Sequence, residues 1–225
     1  MPCVGVIVGL ASEARVLRGC QSVSVGCSGA NAERARTLAA SLLDAGCGAL
    51  VSFGLAGGLD PALASGTLCL PQAVLTPAGI RIPIDANWRA RLLACIGRAD
   101  HRAPLLIGRD EPVGSPAEKQ ALFARSGAAA IDMESHAVAE VARERGVPFL
   151  VIRAVADPAE RRLPLWLGGV IGADGRPMTR ALLAGLARNP ADLAALIRLA
   201  GDARRGLAGL RRVAAGAGPL LAFRL

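Results

Sequence analysis

The chain has 225 residues, enough for one domain with a substantial core, and is 52% hydrophobic and 20% charged, which excludes a disordered polypeptide. Aromatic residues make up only 3% and tyrosine is absent, which excludes the stacking platforms that hold single-stranded nucleic acid. The net charge of +8 is almost wholly arginine, Lys119 being the one lysine, and no nucleic-acid reading motif accompanies it.

Residues 4–8 form a β-branched run ending at Gly9 and read as a buried first strand rather than a signal peptide, since no charged region precedes them. Residues 22–26 alternate as a second strand and end in the small-residue turn Ser28-Gly29-Ala30-Asn31. Residues 32–45 carry helical spacing through Leu38, Leu42 and Leu43, and residues 49–53 are another buried strand running into Gly54-Leu55-Ala56-Gly57-Gly58. Asp60-Pro61 and Ser65-Gly66 punctuate a loop, after which residues 68–75 read as a strand interrupted by Pro71. Further on, helices are expected over 88–97, 116–126 and 134–145, and strands over 104–107, 128–131 and 148–155. This alternation predicts one α/β domain, with a central sheet flanked by helices.

The C-terminal third changes character. Asn189-Pro190 with Asp192 is a strong helix start, and the helix expected over 190–214 sets Leu193, Leu196, Ala200, Leu207 and Leu210 on one face. Arg198, Arg205 and Arg212 fall on the opposite face, with Arg204 and Arg211 at its border and Arg224 beyond. Such a basic amphipathic extension (residues 189–225) suits an anionic membrane surface; the alternative is a helix packed on the domain with a solvated arginine face. No apolar run approaches the ~18 residues needed to span a bilayer.

The six cysteines, Cys3, Cys20, Cys27, Cys47, Cys69 and Cys95, are scattered singly beside only two histidines, so zinc-ligand spacing is missing and no metal is expected. Reduced structural thiols and a cytoplasmic location follow as expectations.

Two acidic segments carry the chemistry. Asp132-Met133-Glu134-Ser135 opens a helical segment, and Arg153-Ala154-Val155-Ala156-Asp157 closes the apolar run after it. Acids and arginine in such apolar surroundings are paired or functional, and the carboxyl end of a strand is where open α/β sheets hold ligands. Two carboxylates in one crevice suit a reaction in which one binds hydroxyls and the other carries a proton. Asp132 reads as first-turn helix charge, while Asp157, with Pro158 behind it, also fits a turn cap. His136, one position into that helix, reads as packing. Gly54 and Gly57 permit close backbone approach or simply a tight turn; a dinucleotide loop is set aside because the run ends in Asp60-Pro61 instead of opening a helix.

Together, Gly5-Val6-Ile7-Val8-Gly9 with Glu13, Gly54-Leu55-Ala56-Gly57-Gly58-Leu59 with Ser65-Gly66-Thr67, Ala130-Ile131-Asp132-Met133-Glu134-Ser135 and Arg153-Ala154-Val155-Ala156-Asp157 resemble the purine nucleoside phosphorylase and nucleosidase superfamily. Within it the chain is similar to the hopanoid-associated phosphorylases, through Ala156 to Ala159, Arg162-Leu163-Pro164, the Asp174-Gly175 turn and the basic C-terminal helix. The resemblance implies release of adenine from a 5′-modified adenosine, adenosylhopane foremost, giving ribosylhopane or phosphoribosylhopane. A nucleosidase or phosphorylase for methylthioadenosine, adenosylhomocysteine or purine nucleosides is the alternative, and a non-catalytic purine- or membrane-binding module a third.

By the same resemblance Asp157 is the acid that protonates purine N7, and Glu134 grips the 2′- and 3′-hydroxyls with Met133 against the sugar. Glu13 orients water in the hydrolytic members, although its position also fits an ordinary first-turn helix acid. Gly54, Leu55, Ala56, Gly57 and Arg153 would line the substrate, and family members are commonly homo-oligomers that share sites across subunits. Many phosphorylases hold phosphate with an Arg two residues before the glycine run and a Ser or Thr within it; this chain has Ser52 and Leu55 there. The remaining anion candidates are Arg153 and the turn Ser28, Gly29, Asn31 at a helix N-terminus. Inorganic phosphate is therefore a co-substrate in one reading and absent in the other, with no other cofactor expected. Trp166 and Gly168-Gly169 lie in a segment suited to a mouth or lid.

Overall fold

The structure is a computed structural model and describes residues 3–97 and 104–223. Arg224, which enters the readings above, lies outside the described residues. In chain order the elements are β1 (Val4–Val8), α1 (Ala11–Val16), β2 (Val23–Cys27), α2 (Ala32–Asp44), β3 (Ala49–Gly58), β4 (Leu68–Cys69), β5 (Ala73–Leu75) and β6 (Arg81–Pro83). They continue with α3 (Ala86–Ile96), β7 (Leu105–Gly108), α4 (Pro116–Ser126), β8 (Ala130–Asp132), α5 (Ser135–Arg145), β9 (Phe149–Asp157), α6 (Thr179–Arg188) and α7 (Leu193–Gly216).

The nine strands form one mixed sheet in the order β2-β1-β3-β8-β7-β5-β6, with β9 pairing β3 and β4. β1 and β9 are buried along their whole length, which is why they read as unbroken apolar runs instead of alternating ones. β1 pairs in parallel with β2 and β3, and β3 in parallel with β9, while the β3–β8, β4–β9 and β5–β6 pairs are antiparallel. The register of β3 against β9 slips between Ala56 and Gly57, so that Gly57 lies opposite Asp157. A slip of this kind bends the strand and re-aims a side chain at the sheet's end.

Helix ends follow local chemistry. Asn31 accepts from Arg34 N, Asp85 from Trp88 N and Ser115 from Glu118 N, while Gly127 and Gly146 end α4 and α5 in the left-handed conformation. The scarce aromatics sit where they do most: Trp88 is fully buried, its ring centroid 4.7 Å from that of Phe223, and its Nε1 donates to Leu221 O at 2.8 Å. That contact pins the C-terminal segment to α3 and contributes roughly 0.5–1.5 kcal/mol beyond the burial itself.

Several expectations are corrected. Residues 54–58 do not turn away after Phe53 but continue β3, because their amides find partners on β9 and β8. Residues 68–75 form two short strands on either side of Pro71, β4 against β9 and β5 against β6 and β7. α1, β6 and α6 were not expected from the sequence: α1 and β6 are six and three residues long, and α6 has no buried residue. In α7 the large buried apolar side chains lie in the second half (Leu210 and Val213), whereas Leu193 and Ile197 are 50% and 65% exposed. The apolar stripe thus splits into a core half and a bare half.

Candidate active site

The site gathers where β1, β3, β8 and β9 end. A cavity of about 330 Å³ opens there, lined by Gly9, Leu10, Glu13, Leu55, Ala56, Gly57, Asp132, Met133, Glu134, Arg153 and Asp157 and walled largely by apolar side chains. Of the charged groups on that wall, Glu13 comes from α1, Asp132 from β8, Glu134 from the turn between β8 and α5, and Arg153 and Asp157 from β9, and their arrangement follows from how each strand stops.

Glu13 stands in the first turn of α1 and is 2% exposed. Its Oε2 accepts from the amides of Gly9 and Leu10 at 2.9 and 2.8 Å, and its Oε1 from Leu55 N at 2.8 Å. It is therefore a helix-start acid that also reaches across to β3. Burial pushes its pKa up, opposed by the Arg153 guanidinium and the three amides. A carboxylate raised in this way is poised to take a proton, and one lone-pair direction remains free.

Arg153, 1% exposed on β9, is the hub. Its Nη2 pairs with Asp132, lies 3.0 Å from Glu134 Oε2 and donates to Ser52 Oγ at 2.7 Å and Ser135 Oγ at 3.3 Å; Nη1 donates to Leu55 O at 3.2 Å. Burial raises Glu134 to about 7, with Asp132 and Glu13 adding to the rise and Arg153 opposing it. Asp132 also accepts from Ser135 N at 3.2 Å, so it caps α5 and anchors Arg153 at once. Glycine is required twice. A Cβ on Gly54 would stand 2.6 Å from Arg153 Nη1 and 2.7 Å from Glu13 Oε1, and one on Gly9 would stand 2.6 Å from Glu134 Oε1.

Asp157 ends β9 at the register slip, 8% exposed. Its Oδ2 meets Lys119 Nζ at 2.6 Å, whereas Oδ1 has no partner. Burial raises its pKa and Lys119 lowers it, the net direction being upward. An unpartnered carboxyl oxygen on the wall of a cavity, protonated more readily than usual, is a proton donor awaiting a ligand.

The structure thus brings Glu13, Gly54, Leu55, Ala56, Gly57, Met133, Glu134, Arg153 and Asp157 to one place, Gly54 lying directly beneath Glu13 and Arg153. It does not bring Ser28 and Asn31 there. Ser28 Oγ donates to Val8 O, Asn31 caps α2, and the Arg34 guanidinium fills the turn with bonds to Ser28 O and Gly29 O. Gly29 packs against Gly172 and Ala173, and Ala30 alone of that turn lines the cavity. His136 is buried, with Nε2 3.1 Å from Asp110 Oδ1, away from the cavity wall. Leu167 and Gly168 line the cavity mouth, while Trp166 packs on Gly185 and donates to Asp192 Oδ2 at 2.9 Å.

Sequence reasoning missed Lys119, Ser52 and Ser135 as members of the site. Only Lys119 carried a signal: in a chain that uses arginine everywhere else, one lysine occupies a buried position on α4 three residues before the buried Leu122.

The mixed sheet and the carboxylate-lined cavity at its strand ends define an α/β enzyme. The sequence model of the phosphorylase superfamily matches residues 16–168, more than half of the chain, and the protein belongs to that superfamily of nucleoside phosphorylases and nucleosidases. No curated protein sequence matches the chain. Among solved structures it is similar to the 5′-methylthioadenosine/S-adenosylhomocysteine nucleosidase of Neisseria meningitidis in complex with methylthio-immucillin-A, with a TM-score of 0.73 and 16% identity over 96% of this chain and 98% of that one. The S-adenosylhomocysteine nucleosidase of Streptococcus pyogenes follows with a TM-score of 0.70 and 16% identity over 94% and 95%. A futalosine hydrolase mutant of Helicobacter pylori gives 0.63 and 17% over 69% and 89%. At such identities the likeness speaks for the fold.

Proposed function

We propose that the protein hydrolyses the N-glycosidic bond of a 5′-modified adenosine, releasing adenine, and that its substrate is adenosylhopane in hopanoid biosynthesis, giving ribosylhopane. The observation that carries hydrolysis is the charge on the cavity wall: Glu13, Glu111, Asp132, Glu134 and Asp157 face it with a single cation, Arg153, whose Nη2 is already held by Asp132, Glu134 and Ser52 and whose Nη1 donates to Leu55 O. Among the described wall residues a phosphate dianion finds one cation, already ion-paired with Asp132 and Glu134, and several carboxylates that repel it. Water meets no such barrier.

In this reading the ribose 2′- and 3′-hydroxyls donate to Glu134, which Arg153 holds in place, and Met133 packs beneath the sugar. Water attacks C1′ as its proton passes to Glu13. The C1′–N9 electron pair moves into the purine, and Asp157 Oδ1 delivers a proton to N7, so adenine leaves neutral. The positive charge that builds on the ribose is matched by the carboxylates around it.

The lipid-linked substrate is supported by the apolar part of the cavity, where Val113, Ile131, Leu163, Leu167, Val170 and Ile171 lie beyond the carboxylates. It is further supported by five exposed apolar side chains between residues 165 and 197: Leu165 (63%), Met178 (44%), Leu183 (61%), Leu193 (50%) and Ile197 (65%). Exposed Arg180, Arg188 and Arg198 flank them, and no helix among the described residues is long and apolar enough to cross a membrane. The protein is read as cytoplasmic and peripheral on an anionic inner-membrane surface, with α6 and the bare start of α7 in contact and the arginines at the headgroups. Arg205 is an exception, its guanidinium 2.7 Å from Asp202 Oδ1. A homo-oligomer belongs to the same reading and is checked by sedimentation. Cleavage of methylthioadenosine or adenosylhomocysteine is the second reading, favoured by the likeness to the nucleosidases above.

The deciding experiment is adenine release from adenosylhopane in detergent or lipid, with phosphate titrated from none upward. Full-rate release without phosphate is expected. A strict phosphate requirement overturns hydrolysis, and cleavage of methylthioadenosine alone overturns the lipid.

A further inference from the structure

We propose that Lys119 is a positioning residue: its ammonium holds Asp157 by Oδ2, leaves Oδ1 free to serve the substrate, and stabilises the carboxylate that remains once the proton has moved to the base. The proposal rests on the glycosidic reading above and adds to it a residue from α4, an element that supplies none of the other groups of the site.

Lys119 is completely buried, and a buried lysine keeps its charge only where acceptors replace water. Four do so. Nζ lies 2.6 Å from Asp157 Oδ2, 3.3 Å from Asp157 O, 3.0 Å from Pro158 O and 3.1 Å from Arg161 O. Three N–H donors meeting four acceptors leave none for a ligand, so Lys119 acts through Asp157 and not on substrate. The same carbonyls tie the chain beyond β9 to the ammonium, which fixes the carboxyl group from both its backbone and its Oδ2 side. Rotation of the carboxyl group breaks the shortest of these contacts.

The other charges around Asp157 work differently. Asp202 on α7 and Glu160 in the segment after β9 both disfavour its ionised form, and Asp202 is itself held by Arg161 at 3.3 Å and Arg205 at 2.7 Å. Arg162, Asp192 and Arg198 line a second cavity that Asp157 also touches, but no hydrogen bond joins them to it among the described residues. Lys119 is the cation in contact. When Oδ1–H gives its proton to N7, the new negative charge forms 2.6 Å from the ammonium on the sister oxygen, so the charge develops where a counterion already stands. Atoms and charge balance: one proton leaves Oδ1 and arrives at N7, and Lys119 keeps all three of its own. Lysine also weakens the hold of Asp157 on its proton, offsetting a burial that alone would make the acid too weak to give it up.

The test uses the full chain with Lys119→Met and Lys119→Arg, following adenine release against pH. For Lys119→Met, kcat is expected to fall on the order of tenfold to a hundredfold while KM changes little, and the alkaline limb to move to higher pH as Asp157 holds its proton longer. Lys119→Arg keeps the charge, so its alkaline limb stays near that of the wild type. A Met variant with wild-type kcat and an unmoved alkaline limb overturns the proposal, as does an Arg variant whose limb shifts equally. Should the Met variant not fold, the wild type decides: with one lysine in the chain, ε-15N-lysine labelling gives a single side-chain signal, expected to step as Asp157 titrates and to lose the step in Asp157→Asn. A signal without that step overturns the pairing. Wild-type protein that releases adenine from no nucleoside overturns the glycosidic reading instead, and the 15N step then judges Lys119 alone.

Discussion

Glu134 and Arg153 meet at 3.0 Å in a site where Asp132 and Glu13 also depend on that one guanidinium. Three buried carboxylates against one cation leave an excess of negative charge when all are ionised, and Glu134 answers by holding its proton up to about 7. The folded chain therefore binds a proton that the unfolded chain, with a value near 4.5, has released. For this group stability falls as pH rises from about 4.5 to about 7 and is level above. Urea unfolding at pH 5 and pH 8 is expected to show the protein less stable at the higher pH by on the order of 1–2 kcal/mol, and Glu134→Gln to flatten the difference. An unchanged slope in Glu134→Gln places the proton elsewhere.

Glu13→Gln keeps the size of the side chain and removes the base. Turnover without phosphate is expected to fall on the order of 10²-fold with KM little altered, since Glu13 meets the water rather than the sugar. Equal loss in kcat and in binding would make Glu13 a scaffold for Leu55 and Gly9 only.

Asp157→Asn leaves the contact to Lys119 to an amide and removes the proton from Oδ1. Adenine release is expected to drop by roughly 10²–10⁴-fold while circular dichroism stays unchanged. A variant that turns over at the wild-type rate refutes the acid assignment.

At Gly54 the objection to a side chain is space. A methyl group there would lie 2.6 Å from Arg153 Nη1 and 2.7 Å from Glu13 Oε1. Gly54→Ala is expected to cost roughly 1–3 kcal/mol in chemical denaturation and to abolish activity, because the groups that must yield are the hub and the base. A stable, active Gly54→Ala protein would show that the cluster relaxes freely.

Membrane contact is read out by co-sedimentation with vesicles of neutral lipid with and without anionic lipid. Binding that needs anionic lipid is expected, weakened by Leu183→Ser with Ile197→Ser and by neutralising Arg180, Arg188 and Arg198. Replacing Arg205 should matter less, because it faces Asp202. Indifference to the apolar pair and the arginines alike removes the membrane from the account.

The strands that form the floor of the site were legible because they are buried on both faces. β1 and β9 appear in the sequence as unbroken apolar runs, and the acids at their ends stand out against them. Asp157, Glu134 and Arg153 were readable for that reason, and Glu13 through its place just past the first strand. The anion turn was misleading. Ser28, Gly29 and Asn31 have the composition of a phosphate cradle, yet their polar groups close on Val8, the α2 N-terminus and Arg34. Local composition reports which groups are available and not which partner reaches them first.

By itself, then, the sequence determined the alternating α/β architecture, the strand ends where the carboxylates lie and the family to which they belong, because burial pattern and strand-end chemistry are local properties of the chain. Only the tertiary structure decided the charge state and partners of those carboxylates. Lys119 and Asp157 are far apart in sequence, as are Glu13 and Leu55, and their contacts exist because the sheet order brings α4 behind β9 and α1 beside β3. Electrostatics depends on distance and burial in space, and neither is written along the chain.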